Sequence, residues 1–166
     1  MTRTRMWSWI AVLASFTAPR ILGAQVNDVQ FHWGLHASYP EYVSASFGAS
    51  AGVERPDGTR QAYVVFFEPG LNGGRLFMGR QLSAGLGSFA TGLSVLQTWN
   101  APPGTLPNIT YLNSETRLTI NWFLVGAGFG FRVAGGTSNT GSGLASTLPG
   151  AQWFLLSGVI GGHFSF

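Results

Sequence analysis

Three histidines, two acid–arginine pairs and two serines near the C-terminus are the residues with which this chain could do chemistry. His32, His36 and His163 are its only histidines. A metal centre needs three or four nitrogen or oxygen ligands converging on one point, and the spacing of Asp and Glu brings none to these imidazoles. Ser157 and Ser165 flank His163, the residue types of a nucleophile and its base. Ser157 and His163 are nevertheless six residues apart on one extended segment, beyond direct hydrogen-bond reach, with no acid in step with them. Glu115 with Arg117, and Arg60 with Glu68, fall at even spacings, which puts each pair on one face of a strand. The chain has no cysteine, so no thiolate nucleophile, disulfide framework or zinc–thiolate site is available. The glycine-rich runs GAGFGF and GLNGG lack phosphate-loop spacing. No catalytic centre, cofactor or metal is expected; His32, His163, Arg60, Glu68, Glu115 and Arg117 are read as one interior polar cluster.

The elements that must position these residues are strands. In VQFHWGLHA, Val29, Phe31, Trp33, Leu35 and Ala37 fall on one parity and Gln30, His32, Gly34 and His36 on the other. YVSASFGASAGV and FLVGAGFGFRV alternate in the same way, and in LNSETRLTIN Leu118 and Ile120 oppose Glu115, Arg117 and Thr119. Such a period gives each strand one apolar face and one small or polar face. RPDG at 55–58 and PGLNGG at 69–74 are turn sequences, and NAPPGTLPN at 100–108 is a loop, as is the low-complexity run 134–151. Eight strands result, over 28–37, 42–54, 59–68, 74–83, 86–99, 109–120, 122–134 and 152–166. Two places resist assignment. YVVFF is apolar on both parities, with Arg75 and Arg80 on opposite faces unless a bulge intervenes, and the joint at Asn121 is short enough for 109–134 to be one bent strand.

Charge narrows the environment. Only 9% of the chain is charged, against about 25% in ordinary soluble domains, and there is no lysine. Arg3 and Arg5 precede an apolar run from Met6 to Phe16 that ends in small residues at Gly23 and Ala24, the layout of a secretory signal peptide over 1–24. The run is too short to span a bilayer as a helix. Without it, residues 25–166 carry six arginines and six acids, and a neutral chain offers no basic surface to nucleic acid. On the strands the polar parity is mostly Gly, Ser, Thr, Asn and Gln rather than the Lys and Glu of a wetted face. Strands of ten residues or more exceed the usual length in soluble sheets and match a tilted membrane strand. The longest connections, 100–108 and 134–151, follow the fifth and seventh strands, as they would on the outer side of a barrel whose termini face the periplasm. Trp33, Trp99, Trp122 and Trp153 are expected to form interfacial girdles near strand ends.

The chain closes with GVIGGHFSF, in which Phe164 and Phe166 alternate with His163 and Ser165. With the signal peptide and the alternating strands, this ending resembles the last strand of bacterial outer-membrane β-barrel proteins, and the whole most resembles their small eight-stranded class of OmpA or OmpX type. The resemblance implies an all-β, antiparallel, up-and-down eight-stranded transmembrane barrel in the outer membrane, monomeric and in contact with outer-membrane lipid. It further implies that Phe164 and Phe166 are what the barrel-assembly machinery recognises. The expected role is non-enzymatic, structural or surface-interacting in the cell envelope. A secreted lipocalin-like barrel holding a small apolar ligand, a lipid-modifying outer-membrane enzyme and a subunit of a larger envelope complex are the alternatives.

Overall fold

Eight alternating runs give eight strands, and their pairing closes on itself. The computed structural model describes residues 28–100, 105, 107–135 and 153–166; the expected signal peptide and most of the two long connections lie outside them. The strands are β1 (Asp28–Tyr39), β2 (Tyr42–Glu54), β3 (Thr59–Pro69), β4 (Gly73–Ala84), β5 (Gly87–Thr98), β6 (Ile109–Ile120), β7 (Phe123–Gly135) and β8 (Phe154–Ser165). Each pairs antiparallel with its neighbour in sequence, and β8 returns to β1 to complete the barrel. Phe31 and Phe166 exchange both backbone hydrogen bonds at 3.0 Å at the end of that seam. Among the described residues there is no helix.

The two ambiguous places resolve locally. Register runs unbroken through β3, β4 and β5, so Arg75 points inward and Arg80 outward without a bulge. At Asn121 the chain turns, with a φ of 58° that an asparagine tolerates, and Asn121 N donates to Leu86 O at 2.6 Å. β6 and β7 are therefore two strands. In the β2–β3 turn Gly58 takes a φ of 77°. There the Asp57 carboxylate accepts from Thr59 Oγ1 at 2.6 Å and Thr59 N at 2.9 Å, which holds its pKa below the usual carboxylate value.

The barrel is inverted in polarity. Phe47, Phe129 and Phe131 face outward with 56%, 41% and 53% of their surface exposed, whereas Glu68, Glu115 and Arg117 face inward at 2%, 1% and 2%. Trp99, Trp122 and Trp153 flank strand ends on the outside as expected. Trp33 instead sits in the middle of β1, stacked on Phe164 with ring centroids 4.8 Å apart.

An eight-stranded barrel has an interior that side chains can just fill, and here glycines make the room. A β-carbon on Gly48 would overlap the Phe66 ring, and one on Gly130 would overlap the Asn113 amide. The lumen is thus not uniformly small and polar: Val64, Phe66, Phe77 and Ala90 form an apolar layer across β3, β4 and β5. At Gly92 the added carbon would meet backbone, the Met78 carbonyl oxygen and the Gly79 Cα, which cannot rotate away. Gly92→Ala is expected to cost about 1–3 kcal/mol by overpacking. Gly87→Ala, in the same strand but with nothing nearer than 3.8 Å, is expected to stay within about 0.5 kcal/mol of the parent. Equilibrium unfolding in urea of the two variants reads the difference.

Candidate functional site

Inside the barrel the polar side chains fall in two groups, with the apolar layer between them on the β3–β5 side and His36 stacked on His163 at 6.3 Å between centroids on the β1–β8 side. The first lies toward the end carrying the β1–β2, β3–β4 and β5–β6 connections, here called the loop end. Those connections are laced by backbone hydrogen bonds, Leu71 N to Val43 O at 3.0 Å, Asn72 N to Glu41 O at 3.2 Å and Trp99 N to Asn72 O at 3.1 Å. The lacing fixes Glu41, which belongs to no strand, over the lumen. Arg75 Nε and Nη2 donate to the two Glu41 oxygens at 2.7 and 2.9 Å, and Arg75 Nη1 donates to Glu115 Oε1 at 2.9 Å. Arg117 forms a second fork, donating from Nη1 and Nη2 to Glu68 Oε1 and Oε2 at 2.5 and 2.7 Å, while its Nε donates to Glu115 Oε1 at 2.8 Å. Ser94 Oγ donates to Glu115 Oε2 at 2.8 Å. Three carboxylates and two guanidiniums share one network, with His36 Nδ1 3.9 Å from Glu68 Oε1. All five charged members are 2% exposed or less. The Arg117 guanidinium lies 4.3 Å from the Phe77 ring centroid and 5.4 Å from that of Phe66, so the apolar layer supports the network from below.

The second group lies toward the turn end. His163 Nε2 and His32 Nδ1 are 3.2 Å apart, and His32 Nε2 meets Ser50 Oγ at 2.8 Å. Both imidazoles stand edge-on to Phe66, at 5.3 and 5.4 Å between centroids. Beyond them Arg60 Nε donates to Asp28 Oδ2 at 2.5 Å.

All six residues of the expected polar cluster are thus in the lumen, in two assemblies rather than one. Glu68, Glu115 and Arg117 meet; His32 and His163 meet; Arg60 and Glu68 share a face of β3 but find different partners at opposite ends. Arg75, Glu41 and Asp28 join these assemblies from outside the cluster expected from the sequence. Asp28 shares the parity of His32 and could have been found that way. Arg75 was obscured by the double apolar parity around it, and Glu41 by its place in a turn, where no periodicity operates.

The carboxylates and guanidiniums of the loop-end network satisfy one another, whereas both ring nitrogens of His36, Nδ1 of His163 and Nη1 of Arg60 are buried with no hydrogen-bond partner among the described residues. Ser157 Oγ has no hydrogen-bond partner among the described residues and His163 directs Nε2 to His32, so Ser157 and His163 do not pair; the serine that meets a histidine is Ser50, on His32. Among the described residues no three His, Asp or Glu side chains converge as metal ligands. Phe164 and Phe166 face outward, where β8 meets β1. Comparison with protein-family models, with curated proteins and with solved structures finds no match to this chain.

Proposed function

We propose that this chain is an exported, monomeric barrel of a bacterial outer membrane, non-enzymatic, with a structural or surface-interacting role in the cell envelope. One observation carries the reading: a closed barrel whose outward wall is phenylalanine, leucine, valine and tryptophan, and whose interior holds its ion pairs. In water that wall would be an apolar surface far larger than soluble monomers expose; against hydrocarbon it is the favourable face. A carrier of small apolar ligands would instead need an apolar cavity, and here guanidiniums, carboxylates and imidazoles share the lumen with packed apolar side chains such as Phe66, Phe77 and Leu96. The signal peptide over residues 1–24 supplies export, Phe164 and Phe166 the handle for the barrel-assembly machinery, and outer-membrane lipid the surrounding solvent. Assembly into a larger envelope complex is the variant of this reading in which protein covers part of the wall.

Expression of the full chain in a Gram-negative host tests it. The protein is expected in the outer-membrane fraction, extractable only with detergent, and migrating faster on an unheated gel than on a boiled one. Recovery from the soluble fraction without detergent, with no heat-dependent shift, overturns it.

A further inference from the structure

Away from the strand ends, one charged residue faces outward among the described residues, and it is Arg80 on β4. Among the described residues it has no carboxylate partner. Its Nη2 donates to Tyr63 Oη at 3.0 Å, and its guanidinium lies 5.2 Å from the Tyr63 ring centroid. Across the sheet Tyr63, Arg80, Thr91 and Thr116 are successive register partners on β3, β4, β5 and β6. All four face outward, so one cation and three hydroxyls form a polar strip in an apolar wall. A lone guanidinium in such a wall is costly unless an anion reaches it.

The neighbourhood specifies the anion. Two residues nearer the loop end on the same strands, a shallow apolar depression is lined by Leu76, Met78, Leu93, Val95 and Leu112. Toward the turn end, Arg80 lies four residue steps before Ala84 at the end of β4. At roughly 3.3 Å per residue and a tilt of about 40°, that is about 10 Å of height. An arginine side chain at that depth snorkels toward the headgroup level. The site therefore offers a phosphate partner on the turn-end side and apolar wall for an acyl chain on the mid-bilayer side, the two ends of one lipid molecule in their proper order. A second copy of this chain fits worse, because the outward faces of its strands offer Arg80 no acid, only another arginine.

We propose that Arg80, Tyr63, Thr91 and Thr116 hold the phosphate of a glycerophospholipid in the leaflet at the turn end, with an acyl chain against the adjoining apolar wall. The assignment rests on the membrane reading above.

The test uses the folded barrel in a non-ionic detergent, titrated with a short-chain diacyl phosphatidylglycerol and read by native mass spectrometry. One lipid is expected to be retained by the parent. Arg80→Gln, which lies on the surface, is expected to weaken retention about tenfold, the value of one charge-assisted contact, and Tyr63→Phe to weaken it less. Diacylglycerol, lacking the phosphate, is expected to be lost from parent and Arg80→Gln alike. Equal retention of phosphatidylglycerol by parent and Arg80→Gln overturns the site, as does equal retention of diacylglycerol and phosphatidylglycerol. A dimeric mass that disappears in Arg80→Gln assigns the strip to a second copy and overturns it too. Insertion of the same preparations into phosphatidylcholine vesicles, scored by the heat-dependent gel shift, separates the two levels. Failure of the parent to insert defeats the membrane reading, whereas insertion with unchanged lipid retention defeats the lipid site alone.

Discussion

Replacing Arg117 with methionine is expected to cost the barrel on the order of 3–5 kcal/mol, because it leaves buried carboxylates without their counter-charge. Arg117 directs its donors to acids, Nη1 and Nη2 to Glu68 and Nε to Glu115, with Nη2 also 2.7 Å from Glu115 Oε1. Its removal leaves three carboxylates facing one guanidinium, where the parent has three facing two. Methionine fills much of the vacated volume and keeps contact with Phe66 and Phe77, so the loss reads charge rather than a cavity. The companion substitution Glu68→Gln isolates the cause. In the double variant two carboxylates face one guanidinium, which restores the excess of one acid found in the parent, so the double is expected to be more stable than Arg117→Met alone. Urea unfolding in micelles, followed by tryptophan fluorescence, measures the cycle. If adding Glu68→Gln to Arg117→Met brings a further loss equal to its own, the two groups are independent and the network is a coincidence of placement.

The sequence was legible where one periodicity acted alone. Along β1, β2, β6 and β7 each residue had one plausible face, and strand limits read from the alternation fall within about two residues of those observed. It was less legible where tertiary context chose the face. In YVVFF both parities are apolar, and what makes room for Val64 and Phe66 inside is the absence of side chains opposite, at Gly48 on β2 for Phe66 and at Gly79 on β4 for Val64. No property of residues 63–67 encodes that. The ion pairs divide in the same way. Glu115 and Arg117 sit two apart on one strand and declare a shared face. Glu41 and Arg75 are 34 residues apart, and they meet only because the β1–β2 and β3–β4 connections hydrogen-bond to one another above the lumen. Parity thus gives the direction in which a side chain points, while pairing across the barrel decides which charge it finds. Arg60 shows the difference: its inward direction was readable, but its partner Asp28 follows from β1 and β3 both flanking β2.

Arginine at position 129 is expected to destabilise the barrel by about 2–4 kcal/mol in a bilayer, the cost of a cation near the midplane on the lipid-facing wall. Phe129 is the seventh of thirteen residues in β7, far from both rims, and it packs with Phe131 and Phe154 at 4.9 and 5.8 Å between centroids. No acid faces outward beside it, and its guanidinium would be too deep to reach a headgroup without drawing water in. Position 80 differs on both counts, being nearer the turn end and beside a tyrosine hydroxyl. Phe129→Leu controls for the lost ring contacts and is expected to cost less than half as much. The comparison is made in phosphatidylcholine vesicles by urea titration, with the heat-dependent gel shift reporting the folded fraction. The sign of the effect depends on the medium around β7. Against hydrocarbon Phe129→Arg must fall well below Phe129→Leu, whereas against water the arginine would be solvated and the two variants would unfold together. A coincident midpoint would therefore place water, not lipid, outside β7, and the buried ion pairs would then need a different explanation from the one given by an inverted barrel.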